Sequence, residues 1–314
     1  MIQARDRGSR GKRPAGVRRL RTGIALAVVL AGTALGLPGA TVRDAPIELV
    51  TVHSAHAVGH PRHVIWILAL GSDARPGQAV SRSRADAIQL VGVNLRTGAA
   101  TAIGVPRDSY VPIRGHGRNK INASMFYGGP QLMADSVANM VGIRPDYVVT
   151  TGFDGFRAMI QAIGGVTVHS KYAFDDPVMP GGYQVGKNRL NGFQALIFSR
   201  IRHGLPRGDF DRSGNQQRTL VGILREVRAK ADRPGFMERA LLAVTRSMNT
   251  DLRPSELFTL AQALTQVRPD RFHGCVISGS TGYVGAASVV HPNLAQAHDI
   301  ARRVRKDATL NGHC

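Results

Sequence analysis

The residues from Thr22 to Val42, TGIALAVVLAGTALGLPGATV, carry no charge, and a block of basic side chains stands directly before them. A run of about 20 uncharged, mostly apolar residues can cross a bilayer as a helix. The preceding block holds Arg5, Arg7, Arg10, Lys12, Arg13, Arg18, Arg19 and Arg21, opposed only by Asp6. Under the positive-inside rule such a block stays in the cytoplasm, which places the chain after Val42 outside. The sequence therefore reads as a basic cytoplasmic tail over 1–21, a transmembrane helix or signal anchor over 22–42, a linker over 43–62 and an extracytoplasmic domain over 63–314. A cleaved signal peptide is the competing reading. Small residues around Gly39 and Ala40 offer a cut site, and Pro38 would end the helix before them. The pair Arg18–Arg19 lacks the context of a twin-arginine signal.

A chain of 314 residues, 43% of them hydrophobic, can build one large core or two small ones. Its net charge of +20 asks for an acidic partner: nucleic acid, an anionic membrane surface or a phosphorylated substrate. The topology removes the domain from nucleic acid, and no helix-turn-helix or RNA-recognition motif is present, so no nucleic-acid partner is expected. Cys275 and Cys314 have no CxxC spacing and do not make a zinc site. Outside the membrane a disulfide pinning the C-terminal tail is expected, the alternative being a buried Cys275 and a free tail thiol. His53, His56, His60 and His63, near Asp44 and Glu48, match no familiar metal-ligand spacing and read as solvated side chains.

Beyond His63 the pattern becomes strand-like. Val64 to Leu70 is a continuous apolar run ending at Gly71, as in a buried strand. Ala87 to Leu95 reads as a second strand, Arg96-Thr97-Gly98 as its turn, and Ala100 to Val105 as a third. Helical periodicity follows from Pro130 to Val141, with Pro in a first-turn position and Gly142 after the end. Further strands are expected at Tyr147–Thr151, Val166–Val168 and Phe272–Ile277. Further helices are expected at Phe153–Ile163, Phe193–Ile201, Gln216–Ala231, Met237–Met248, Ser255–Val267 and Asn293–Lys306. The alternation gives an α/β class with a mixed central sheet flanked by helices.

Strand ends are where α/β proteins place their sites. The first strand ends in Gly71-Ser72-Asp73-Ala74-Arg75, the second follows Arg84-Ala85-Asp86, and the third ends in Pro106-Arg107-Asp108. If these strands are neighbours, Asp73, Asp86, Arg84 and Arg107 meet at one mouth. Carboxylates there can hold a hard divalent cation, and guanidinium groups can grip phosphate oxygens. Gly128-Gly129 and Gly164-Gly165 lie in no Walker or dinucleotide fingerprint and read as turns.

Taken in order, LGSDAR (70–75), RADAI (84–88), VPRDSYV (105–111), KINASMFYGGP (120–130), FDGFRAMIQAIGGV (153–166), LNGFQALIFSRIR (190–202) and GDFDRSGNQQR (208–218) resemble the LytR–CpsA–Psr family over more than half of the chain. The resemblance implies an α/β domain that binds a polyprenyl-pyrophosphate-linked glycopolymer, with a hydrophobic tunnel for the lipid. It also implies Mg²⁺ dependence and transfer of a phosphoglycan to a peptidoglycan hydroxyl at the membrane. Asp73 and Asp86 match the family's metal carboxylates, and Arg84, Arg107, Arg200 and Arg202 its pyrophosphate-binding arginines. Gln216 matches a polar position near the head group, and Arg75 is a weaker member. Asp209 and Arg212 fall on the acidic and basic positions of the last motif. Asn215 stands where the family often has Arg, so one phosphate contact is missing or is supplied by Arg218 or Arg212. A pyrophosphate hydrolase and a non-catalytic lipid or glycopolymer binder are the other readings of the same residues. The intact carboxylates and arginines argue against lost catalysis.

The anchor reading has a direct consequence. A topology reporter fused after Cys314 is expected to be active outside the cytoplasm only; a cytoplasmic signal would reverse the orientation and reopen the nucleic-acid class.

Overall fold

In a computed structural model of the chain the described residues are 46–53, 63–75, 77–176, 179–236, 239, 248–311 and 314. The tail over 1–21, the segment 22–42, His56, His60 and the helix expected from Met237 as far as residue 247, residue 239 excepted, lie outside them. Among the described residues no helix is long and apolar enough to cross a membrane.

Seven strands form the central sheet: β1 (Ile47–Thr51), β2 (Val64–Ser72), β3 (Ala85–Asn94), β4 (Ala100–Gly104), β5 (Tyr147–Thr151), β6 (Met248–Thr250) and β7 (Phe272–Val276). Their order is β6-β1-β5-β2-β3-β4-β7. β2 runs parallel to β5 and antiparallel to β3, and β4 runs antiparallel to β3 and parallel to β7. The sheet is therefore mixed. The C-terminal ends of β2, β4 and β5 and the N-terminal end of β3 all lie along one edge of it.

Residues 43–62 do not form a linker throughout. Ile47–Thr51 is a strand that pairs antiparallel with β5 and parallel with β6, and Ile47 and Leu49 are buried. IELVT is too short to stand out as periodic, so tertiary pairing decides its state.

Among the described residues there are six helices: α1 (Ala123–Val141), α2 (Phe153–Ala162), α3 (Gly192–Arg200), α4 (Asp209–Lys230), α5 (Pro254–Gln266) and α6 (Leu294–Val304). One face of the sheet carries Trp66, Leu68, Leu70, Ile88 and Leu90, which pack with Met133 and Val137 of α1 and Ile300 and Val304 of α6. On the other face Leu49 and Ile67 meet Leu260 of α5, and Val93 meets Leu224 of α4. A separate core forms where α2, α3 and the paired strands Val166–Ser170 and Gly186–Leu190 enclose Ile160, Val168 and Phe198. Val166–Val168, expected as a strand, thus belongs to that two-stranded pair rather than to the central sheet.

The α1 expectation was short by its first turns. A helical piece begins at Ala123, breaks at Gly128 and Gly129, and resumes at Pro130. Gly129 has φ +65°, which glycine adopts without the steric cost that a β-carbon imposes. α4 likewise starts at Asp209, two turns before the expected Gln216, with Asp209 and Asp211 in its first turn, where the helix dipole favours them. Cys275 and Cys314 are joined by a disulfide, so the tail is pinned to β7 as expected.

Trp66 is wholly buried and lies opposite Gly92 in the β2–β3 register. A β-carbon at residue 92 would sit within 2.8 Å of three indole carbons. Gly92→Ala is therefore expected to destabilise the fold by about 1–3 kcal/mol through overpacking, seen as a lower urea midpoint at unchanged m-value.

Candidate active site

The site's geometry begins with a register fault. Ala87 and Ala85 of β3 face Gly71 and Ser72, which are consecutive on β2, so Asp86 is an extra residue in the ladder. Ala85 and Ile88, three apart, both enter the core shared with α1. Unbroken alternation would have put them on opposite faces. The bulge re-aims Asp86 out of that core and toward α4, as bulges beside functional sites often do.

There Asp86 forms an ion pair with Arg107, which follows β4. Arg107 Nε also lies 3.7 Å from Asp108 Oδ2 and 3.9 Å from Asp209 Oδ1. Asp209 Oδ1 is 2.5 Å from Arg212 Nη2, one helical turn along α4. Asp108 in turn meets Lys120 Nζ at 3.0 Å. Burial works against the charge of Arg107, but Asp86, Asp108 and Asp209 outweigh it and hold the group above its ordinary pKa. Burial pushes the Asp209 carboxyl up, against the pull of Arg212 and Arg107. Burial pushes Arg212 down, with Arg107 and Arg202 adding like-charge repulsion and Asp209 and Asp86 opposing it. Arg212 is only 5% exposed, yet a guanidinium keeps its proton. Arg107 Nε, Arg212 Nε and Asp209 Oδ1 are buried and have no aligned hydrogen bond. Buried polar atoms are seldom left so, and three in one cluster mark a place for a polar ligand.

Asp73 directly follows β2 and pairs with Arg84. Its N–H donates to the Arg84 carbonyl at 3.1 Å, and its Oδ1 accepts the Arg84 N–H at 2.9 Å. Asp73, Arg84 and Arg75 line a cleft of about 480 Å³, together with Gln78, Arg82 and Phe126. Arg200, at the end of α3, lies with its guanidinium 4.2 Å from the centre of the Phe153 ring, which opens α2 just beyond β5. Arg202 is exposed and acts on both Asp209 and Arg212.

Two expected ligand contacts sit elsewhere. Gln216 is pinned beneath the mouth: its Nε2 donates to the Ser199 carbonyl at 3.2 Å and its Oε1 accepts Gln89 Nε2 at 3.1 Å. Arg218 donates to Asn215 Oδ1 at 3.1 Å and takes its charged neighbours from Asp211 and Arg207. Six residues beyond Arg212 on the same helix, it points to a different side. Arg212 is the one that joins Arg107. Asn215 turns to α3, donating to the Phe198 carbonyl at 3.4 Å.

Asp108, Lys120 and Gln89 escaped sequence reasoning. The first two carry a signal, because both are charged residues within the strand-mouth motifs VPRDSYV and KINAS. Gln89 has only its position: a polar side chain inside an otherwise apolar strand. It is 3% exposed and donates to Ser213 Oγ at 2.9 Å as well as to Gln216, while its Oε1 accepts Gln217 Nε2 at 3.1 Å. Gln217 Nε2 also donates to the Cys275 carbonyl at 2.8 Å.

Asp73 and Asp86 are hard oxygen donors suited to Mg²⁺. Among the described residues no three His, Cys, Asp or Glu side chains gather into a metal site. A cation held here would take two carboxylates and complete its shell from phosphate oxygens and water, the usual pattern for Mg²⁺.

Residues 38–306 match the model of the LytR_cpsA_psr family. Over 161 residues the chain is 37% identical to the polyisoprenyl-teichoic acid–peptidoglycan teichoic acid transferase TagU of Bacillus subtilis, an overlap of 50% of each chain. With the protein of that name from Enterococcus faecalis it shares 31% identity over 215 residues, 66% of this chain and 69% of the other. The crystal structure of B. subtilis TagV is similar with a TM-score of 0.61 at 28% identity, covering 76% of this chain and 95% of that one. The chain spans about half the length of the two Bacillus TagU proteins from B. subtilis and B. licheniformis.

Gln89→Leu keeps the volume but strips partners from Ser213, Gln216 and Gln217. It is expected to cost about 2–3 kcal/mol in chemical denaturation, the penalty for buried polar groups left unpaired.

Proposed function

The chain belongs to the LytR–CpsA–Psr family, and from that premise we propose that it transfers a phosphoglycan from a polyprenyl-pyrophosphate carrier to a peptidoglycan hydroxyl, forming a phosphodiester. The observation that carries the reading is the pair of guanidinium groups, Arg107 and Arg212, whose buried Nε donors stand unfilled beside Asp86 and Asp209. The names of the relatives, which specify polyisoprenyl-teichoic acid and peptidoglycan, support the substrate class. In this reading the domain works outside the cytoplasm, tethered to the membrane through residues 22–42.

A lipid phosphate departs only when its negative charge is neutralised. Arg107 and Arg212 are already desolvated and oriented, so their field acts on the pyrophosphate at low reorganisation cost. Arg84, Arg200 and Arg202 add positive charge at the rim and orient the same groups. The acceptor hydroxyl attacks the sugar-linked phosphorus, a new P–O bond forms, and the bond to the lipid phosphate breaks. The hydroxyl proton passes to a carboxylate of the mouth. Mg²⁺ held by Asp73 and Asp86 would supply further charge neutralisation at the phosphates.

Full-length protein is to be incubated with a synthetic polyprenyl-pyrophosphate-linked sugar, Mg²⁺ and peptidoglycan oligomers. Phosphoglycan attached to the oligomer is the expected product; release of free phosphorylated sugar alone would make the protein a hydrolase, and no turnover would leave only binding. Arg107→Ala is expected to slow transfer by about 10²-fold or more at every Mg²⁺ concentration, since a charge-assisted contact is lost. Asp73→Ala is expected to regain part of its activity as Mg²⁺ rises. Wild-type rates for a folded Asp73→Ala protein at low Mg²⁺ would remove Asp73 from the site.

A further inference from the structure

The cleft that holds Asp73 and Arg84 has one aromatic wall that the transfer chemistry leaves unused. Phe126 is 56% exposed and lies in the first turns of α1. Isolated exposed hydrophobic residues are ordinary. This one lines the same space as Asp73, Arg75 and Arg84, and it is held in place. Its ring meets Tyr127 edge-on at 5.8 Å between centroids. Tyr127 is stacked on His116 at 4.3 Å with an interplanar angle of 8°, and its hydroxyl accepts Asn119 Nδ2 at 3.0 Å. The aromatic pair directly precedes the Gly128-Gly129 break. There a β-carbon on Gly129 would stand 3.5 Å from the Ser81 carbonyl oxygen, in the 3₁₀ turn Val80–Arg82. The two walls of the cleft, one bearing Phe126 and the other Arg82, therefore touch at their base.

We propose that this outer part of the cleft seats a pyranose ring of the peptidoglycan acceptor, stacked on Phe126. The inference rests on the transferase reading above, whose acceptor it places. A pyranose has an apolar face of C–H groups and a rim of hydroxyls. That shape suits an exposed phenyl ring bordered by Gln78, Arg82 and Arg75, which offer hydrogen bonds and positive charge. The carboxylates of the peptidoglycan stem peptide add negative charge that the arginines attract. A polyprenyl tail would bring the same ring apolar surface while leaving those polar neighbours desolvated and unpaired. The placement sets the acceptor next to the donor's charged end: Arg84, which lines the cleft, is two residues from Asp86, the ion-pair partner of Arg107. The first sugars of the donor share the chemistry of the acceptor, so the experiment has to tell the two apart.

The test is binding without turnover. Full-length wild type, Phe126→Ala and Phe126→Trp are titrated with a soluble peptidoglycan glycan oligomer in the absence of donor, and separately with a polyprenyl-pyrophosphate-linked sugar. Loss of the ring is expected to weaken oligomer binding about tenfold, a change of about 1.4 kcal/mol, with donor affinity held within about twofold, smaller than that loss. The Trp variant is expected to bind the oligomer as wild type does. Unchanged oligomer binding by Phe126→Ala, an equal loss for the donor, or no oligomer binding by wild type would each overturn the assignment. Oligomer binding that depends on Phe126 in a protein that transfers nothing would sink the transferase reading alone. Transfer by a wild type whose oligomer affinity ignores Phe126 would sink this inference alone.

Discussion

Helix α4 rests on the sheet through amide hydrogen bonds where most helices would use hydrocarbon. Gln89 of β3 bonds to Ser213 and Gln216, and Gln217 reaches across to Gln89 and the backbone of Cys275. Gly104 of β4 and Gly274 of β7 make room for this, since a β-carbon at either would collide with Ser213 or Gln217. Apolar contacts slide at small energetic cost, whereas a buried amide must find its partner or lose its hydrogen bonds entirely. The network therefore fixes the height and rotation of α4 over β3 and β4. Arg212 and Asp209 ride on that helix, Asp86 on β3 and Arg107 just beyond β4, so the distance between the two halves of the mouth is set by buried glutamines bonded to one another.

The charge arrangement follows from the same fixed frame. Putting Arg212 in a nearly dry position is unfavourable in isolation, and the carboxylates of Asp209 and Asp86 offset only part of the cost. Asp209 is correspondingly raised and Arg212 lowered. A surface pair would relax by moving apart into water. This one is held, and the buried Nε donors of Arg107 and Arg212 remain where phosphate oxygens would meet them.

Most of the architecture was legible in local pattern. The apolar run at 64–70 and the polar turn at 96–98 give β2, β3 and β4 their order, and helical periodicity gives α2, α3, α5 and α6 to within a residue or two. The candidate residues Asp73, Arg84, Asp86 and Arg107 stand out in sequence as charges at strand ends, because apolar runs that stop abruptly at Asp or Arg say where a strand leaves the core. What failed was decided at long range. IELVT becomes a strand only because β5 and β6 lie either side of it. GDFDRSG reads as a loop until its first turn is stabilised by contacts with Arg207 and Arg107. Arg218 resembled a ligand in sequence, yet helical phase turns it from the mouth. No one-dimensional pattern marks Gln89 as a member of a network, because its partners lie more than a hundred residues away.

The extra residue in β3 has a bearing on how such a domain can vary. Ala85 before the bulge and Ile88 and Leu90 after it all enter the hydrophobic layer beneath α1 and α6, while Asp86 between them turns to the mouth. Two stretches of one strand thus obey separate alternations, joined at a single irregular residue. Substitutions at 84 and 86 can be screened for a new anionic ligand while Ala85, Ile88 and Leu90 stay as they are, and the interior can drift in composition without turning Asp86. A continuous ladder would have tied both sets of residues to one selection pressure.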